Sequence, residues 1–227
     1  SAAGMLATGG AGTGGSAPVA AQPIIPPRQP AGDSAYPAAC SSSYQSCLQA
    51  TNTVRAATEG LAPIVLPSNW ASLTGSERIF VLANLERTSR GEAPIAYLVS
   101  TWDGTVRAGA AAGQDPDLSG IAPTRSRSAI YAGAYPSVVA ADFAWMYDDG
   151  PGGPNVDCAT ASSGCWGHRD ILLADAGHPA NPTLMDAAVV SRPGQGPAYA
   201  AALVADPGTP PASQVVLSWA TERSYLS

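Results

Sequence analysis

The chain reads as an α+β protein, and three observations carry that assignment. Helical periodicities occupy the first three quarters of the sequence, and strand-like apolar runs gather after Pro182. Nothing in between shows the regular alternation of strand and helix that builds βαβ units. Helices first and strands last fit either a segregated α+β fold or an α/β/α sandwich, and the Gly/Pro turns between the last three runs predict antiparallel pairing. The 227 residues suffice to bury roughly 70% of the unfolded surface. One compact domain behind an N-terminal extension is therefore expected.

Residues 1–35 form a Gly/Ala/Pro-rich arm, running from Gly9-Gly10 and Gly14-Gly15 into Ile24-Ile25-Pro26-Pro27. Such a composition buries too little apolar surface to offset its ordering entropy alone, so its order depends on packing against its own domain, a second copy or a partner. Residues 36–67 hold Cys40, Cys47 and a helical stretch from Leu48 to Leu61, broken by Pro63 and Pro67. The main domain, 68–227, starts with the clearest helix. Thr74-Gly75-Ser76-Glu77 has the form of a capping box, and Ile79, Leu82, Ala83 and Leu85 follow at helical spacing until Gly91 and Pro94. A second helix is predicted from Trp102 to Gly113, ended by Asp115-Pro116-Asp117. Residues 114–135 read as loop with Arg125 and Arg127 exposed. Ser137 caps a helix from Val138 to Tyr147, and Gly167 to Asp175 gives a shorter one. Leu184–Ser191, Ala198–Ala205 and Gln214–Trp219 are the predicted strands of a meander.

Charge excludes some functions. The net charge is −6, and all 11 basic residues are arginines, scattered without a stripe. Nucleic acid is thus not an expected partner. No run reaches the ~20 apolar residues of a membrane span, and no charged-then-apolar leader is present, so the chain reads as a mature exported protein. Its four cysteines form two close pairs, Cys40 with Cys47 and Cys158 with Cys165. Neighbour pairing as disulfides is expected, because each intervening segment is turn-rich and the spacing is too wide for a C-x-x-C zinc motif.

Candidate chemistry centres on Cys165-Trp166-Gly167-His168-Arg169-Asp170, which contains one of only two histidines. At a helix start the dipole disfavours the protonated imidazole, and a neutral His168 accepts a proton or binds a metal. Asp142, Asp148, Asp149, Asp157 and Asp170 are the carboxylates near enough in sequence to orient it. The plainer expectation is that His168 bonds a backbone carbonyl and closes the loop from Cys158. The loop from Asp148-Asp149-Gly150 to Asn155-Val156-Asp157 is rich in oxygen donors but lacks the spacing and bidentate glutamate of an EF-hand. His178, before Pro179, reads as exposed. No G-x-S-x-G, P-loop or dinucleotide fingerprint occurs. Tyr131, Tyr135, Trp145, Tyr147 and Trp166 are candidates to line an aromatic cleft, though aromatics this close to a core motif are more often core.

Several of these residues carry a resemblance. Asn84-Leu85-Glu86-Arg87 with Gly91 and Pro94, then Ala144-Trp145-Met146, then Gly167-His168-Arg169-Asp170-Ile171-Leu172, resemble the bacterial form of the CAP (SCP-like) domain over about residues 68–220. The resemblance implies an α/β/α sandwich with an antiparallel central sheet, a secreted or surface location, and a cleft where two histidines and two acidic residues hold a divalent cation. His168 matches the second histidine and Asp148 a position usually held by glutamate. Ser128-Ala129-Ile130-Tyr131 falls on the acidic E-N-I-A motif, and no histidine precedes Trp166 to match the first. The cleft is thus degenerate, with His168, Asp148, Ser128, Tyr131, Trp145 and Trp166 as its candidate residues.

The functional expectation is a non-catalytic binding or structural module at the cell surface or outside it. Protein partners or self-association would act through the N-terminal arm by extended backbone pairing. No cofactor is expected beyond a weak zinc or calcium site at His168 and Asp148. The alternative is a metal-assisted hydrolase of peptide or cell-wall material, with His168 and Asp148 supplemented by Glu86 or Asp142. Lipid or sterol binding is a further alternative.

Overall fold

The computed structural model describes residues 34–121, 126–150, 153, 166–174 and 182–226. The N-terminal arm, Arg125, Asn155, Asp157, His178 and the Cys158/Cys165 pair lie outside the described residues. What the sequence predicts for them is neither met nor contradicted.

Cys40 and Cys47 form the expected disulfide. It closes the turn that leads into α1 (Tyr44–Glu59), which begins at a Ser43 cap, four residues earlier than predicted, and ends at Gly60 in the left-handed conformation. The lead-in is packed into the main core through Cys40, Cys47 and Ile64. Helix α2 (Gly75–Thr88) carries the predicted capping box, with the Thr74 amide donating to Glu77 at 2.6 Å and the Glu77 amide to Thr74 Oγ1 at 3.3 Å. Asn84 pins the chain after α2 by donating to the Ile95 carbonyl at 3.1 Å and accepting from its amide at 2.7 Å. That brace aims the chain into β1 (Tyr97–Val99), from which α3 (Asp103–Ala112) follows.

The stretch expected to be loop contains β2 (Ser126–Gly133). Its sequence is poor in β-branched residues, so local preference does not announce it; it exists because it pairs along its whole length with β4. Arg127 on it is exposed, as expected. Next come α4 (Val138–Tyr147), α5 (Gly167–Leu173), β3 (Thr183–Arg192), β4 (Gly196–Ala205), β5 (Val215–Ser218) and the short α6 (Trp219–Glu222).

The five-stranded sheet has the order β2-β4-β3-β1-β5. It is mixed, not antiparallel: β1 runs parallel to β3. The predicted meander holds for the β3–β4 hairpin only, since β5 pairs with β1 at the far edge. The α+β class stands. A three-residue strand such as β1 leaves too little pattern to read, which is why its place in the sheet was not foreseen.

Both faces of the sheet are covered. Tyr199, Ala201 and Leu203 of β4 join the main core with α1, α2 and α4. Ala198, Ala200, Ala202 and Val204 join the smaller core beneath α3 with Val106 and Ala110. Alternate residues therefore serve opposite layers, as period-two geometry requires. Among the described residues, no helix is long and apolar enough to cross a membrane.

Candidate functional site

Every residue of α4 is buried, so its C-terminal end is held firmly where Asp148 and Asp149 emerge. Asp149 then organises the start of α5. Its Oδ2 accepts from the amides of His168 at 2.8 Å and Arg169 at 3.3 Å, and its carbonyl accepts from the Trp166 amide at 3.0 Å. Trp166, at φ 73°, supplies no side-chain cap of its own, and the carboxylate from α4 takes that role. The Trp166 ring lies across Gly150, where a Cβ would approach it to 2.4 Å, so a residue with a side chain does not fit there.

The same carboxylate grips the His168 ring: Nδ1 lies 3.0 Å from Asp149 Oδ1. On the other side Nε2 faces Asp115 Oδ1 at 3.6 Å. The sequence predicted a backbone carbonyl as partner and a neutral ring; both ring nitrogens instead face carboxylates. Burial disfavours the imidazolium, but the bonds and charges of Asp115 and Asp149 outweigh it, raising the pKa to about 9. His168 is a cation at neutral pH.

Beside it lies a cavity of about 830 Å³. Its walls come from Gly113–Asp115 after α3, Tyr131–Tyr135 at the end of β2, Ala144, Trp145, Asp148 and Asp149 at the end of α4, His168, and Arg192 with Gln195 at the β3–β4 turn. Trp145 is fixed by donating its indole N–H to the Tyr131 carbonyl at 2.9 Å, and Arg192 donates to the Tyr131 hydroxyl at 2.7 Å. Burial, then the charge of Asp148, pushes the Tyr135 phenol up to about 12.

A second ionic cluster lies behind α5. Arg55 and Arg90 both donate to Glu86. Arg90 reaches Glu59 through a two-pronged pair at 2.8 and 2.9 Å, and Arg169 joins it at 2.7 Å. Arg90 also donates to the Tyr147 hydroxyl at 2.9 Å. Burial would raise the Glu59 carboxyl, but bonds from Arg90 and Arg169 hold it down at about 2. Asp142 is raised well above the usual carboxylate range, by burial first and then by the charge of Glu86. Arg87 ties the end of α5 to α2 by donating to the carbonyls of Leu172 and Ala174, both at 2.8 Å.

Of the residues singled out in the sequence, the structure gathers His168, Asp148, Asp149, Tyr131, Tyr135 and Trp145 around one cavity. Trp166 packs behind it. Ser128 sits on β2 opposite Leu203, away from the cavity walls. Glu86 is committed to Arg55 and Arg90, Asp142 is buried within α4, and Asp170 is exposed on α5. Neither Glu86 nor Asp142 is among the cavity walls, so neither supplements His168 as the hydrolase reading required. Among the described residues, no set of three or more His, Cys, Asp or Glu side chains comes together to hold a metal ion.

Asp115, Arg192, Gln195 and Glu59 were not foreseen, and Arg169 entered only as part of the motif around His168, without its role. Asp115 announces itself in sequence only as a helix terminator, and Arg192 only as the residue after a strand; no spacing links either to His168. Comparison of the chain with protein-family models, with curated proteins and with solved structures gave no match.

Proposed function

We propose that this chain is an exported, CAP-like binding module whose cleft holds a ligand without transforming it. The observation that carries the reading is the position of His168, clamped between Asp149 and Asp115 at the wall of the cavity. A protonated imidazole whose two nitrogens face carboxylates is neither a general base nor a metal ligand at neutral pH. It serves instead as a fixed charge that draws three segments together: the end of α3, the end of α4 and the start of α5. The hydrolase alternative needs a neutral His168 and further ligands; the two carboxylates on the ring and the lack of a metal-ligand cluster among the described residues count against it. Lipid or sterol binding fits poorly with walls that carry Asp115, Asp148, Asp149, His168 and Arg192.

The CAP-like part of the proposal draws on the residues of the resemblance. Asn84 and Arg87 brace the chain after α2 and the end of α5, while Trp145 and His168 line the cavity. Export is compatible with the Cys40–Cys47 disulfide. Assembly through the N-terminal arm rests on the composition of residues 1–35 alone.

A protein-observed NMR screen of a general fragment library tests the reading, run beside zinc-supplemented hydrolysis assays on casein and cell-wall material. Fragments that shift the indole N–H of Trp145, with no hydrolysis, are expected. Zinc-dependent turnover that disappears in His168→Ala would overturn the proposal.

A further inference from the structure

We infer that the cavity selects an organic cation, a guanidinium or ammonium group carried on an apolar stem. The inference rests on the binding role proposed above and names the ligand class.

The walls carry three carboxylates, Asp115, Asp148 and Asp149, against one imidazolium and one guanidinium, which leaves one net negative charge among the described residues. Both resident cations are held locally. His168 lies between Asp149 and Asp115. Arg192 bonds the Tyr131 hydroxyl and lies flat against Gly113, where a Cβ would come within 2.6 Å of its guanidinium nitrogen. Gly113 ends α3 in the left-handed conformation. The imidazolium is thus taken up by two carboxylates, whereas the guanidinium is fixed to the wall by a neutral hydroxyl and keeps its charge; the net negative balance of the walls is what favours a cation.

The sign of the field inside is visible in a second set of groups. The Tyr135 phenol, on the wall, and Tyr36, tilted against it at 5.4 Å between ring centroids, are both hard to ionise. Burial is the main cause in each, and the charge of Asp148 adds to it in both. Burial resists a charge of either sign, so only the part of the two shifts that comes from Asp148 favours a cation. Aromatic faces supply the rest: Tyr131, Tyr135 and Trp145 line the same space, and a cation over a ring gains about 0.5–2 kcal/mol. Asp115, with 43% of its side chain exposed, stands where an incoming cation would first meet the site. The 830 Å³ volume far exceeds one guanidinium and accommodates either a short peptide segment around an arginine or lysine, or an extended free amine.

The test uses the whole oxidised protein and four probes: agmatine, the tripeptide acetyl-Gly-Arg-Gly-amide, the same tripeptide with citrulline for arginine, and glutarate. Binding is read from the Trp145 indole N–H shift at low and high salt. Agmatine and the arginine tripeptide should bind, with affinity falling about three- to tenfold as ionic strength rises from about 0.02 to 0.3 M. The citrulline tripeptide should bind at least about tenfold more weakly, and glutarate not at all. Asp115→Asn should weaken both cations by about fivefold; because the salt and citrulline comparisons use wild type, the outcome does not hinge on that variant folding. Agmatine binding the tighter points to a free amine or guanidine, and the tripeptide binding the tighter points to a peptide; either supports the inference. Equal binding of the citrulline peptide, or preferential binding of glutarate, overturns the cationic class while the binding role stands. No shift with any of the four overturns the inference; fragment hits at the same indole would then show that the binding role survives it.

Discussion

His168 shows how far one side chain's surroundings override its local position. A helix start and 14% exposure both argue for a neutral ring, yet two carboxylates reverse the balance. The consequence is a measurable titration. The ring resonances of His168 should titrate near pH 9, and Asp149→Asn should bring the midpoint down by about one to two units. The asparagine oxygen still accepts from the His168 and Arg169 amides, so α5 should keep its start and the shift should report the charge alone. A midpoint near 6.5 in the wild type would refute the clamp. The sequence did identify His168 and put Asp149 among five candidate carboxylates. It did not identify Asp115, because Asp115 and Asp149 lie thirty-four positions apart, and only the fold returns the end of α3 to the start of α5.

At the scale of elements, the helices are held to one another by charge as much as by apolar packing. Glu59 of α1 receives Arg90 from just beyond α2 and Arg169 from α5, and Arg169 also donates to the Met146 carbonyl of α4 at 2.7 Å. Removing Arg169 leaves Glu59 paired with Arg90 but takes away two buried charge-assisted hydrogen bonds, to Glu59 and to the Met146 carbonyl, a loss of about 2–4 kcal/mol. Arg169→Met should therefore lower stability by that order in urea denaturation. Arg107→Met should cost about 0.5 kcal/mol or less, because the Arg107–Asp103 pair on α3 is exposed at 53% and 42%. Similar losses from both would mean that the cluster contributes no more than a surface pair. None of this was legible beforehand. An apolar stripe repeats with the helical period and so gives α2 and α4 away, whereas an isolated arginine in a helix looks the same whether it faces water or a buried glutamate. For the same reason the α1 boundary slipped: Tyr44 to Cys47 carry no stripe, and their place in the helix depends on the Ser43 cap.

The molecule as a whole should be most stable in mild acid. Glu59 has its carboxyl lowered from 4.5 to about 2, so its contribution is present above pH 4.5 and is lost as pH falls through 2. Asp186 behaves in the opposite sense. It is buried in β3, where it accepts from the Trp102 amide at the start of α3 at 2.7 Å, and burial lifts its carboxyl from 3.8 to about 6. Between those values the folded state holds a proton that the unfolded chain has released, so stability falls as pH rises through that window. Asp142, raised by burial and by Glu86, acts in the same direction. His168 adds a further decline: its contribution is complete below 6.5 and disappears as pH climbs through about 9. Stability rises only on the acid side and falls across two successive windows on the other, so the unfolding temperature should peak at about pH 4 to 4.5 and drop toward pH 10. Thermal unfolding of the dilute, oxidised protein across that range measures it. Asp186→Asn should remove most of the decline between pH 4 and 6, and Asp149→Asn should flatten the one between 6.5 and 9. A maximum at pH 7 to 8 in the wild type would mean that these buried groups are solvated on a scale that contradicts their packing, and the charge clamp at the cavity would fall with them.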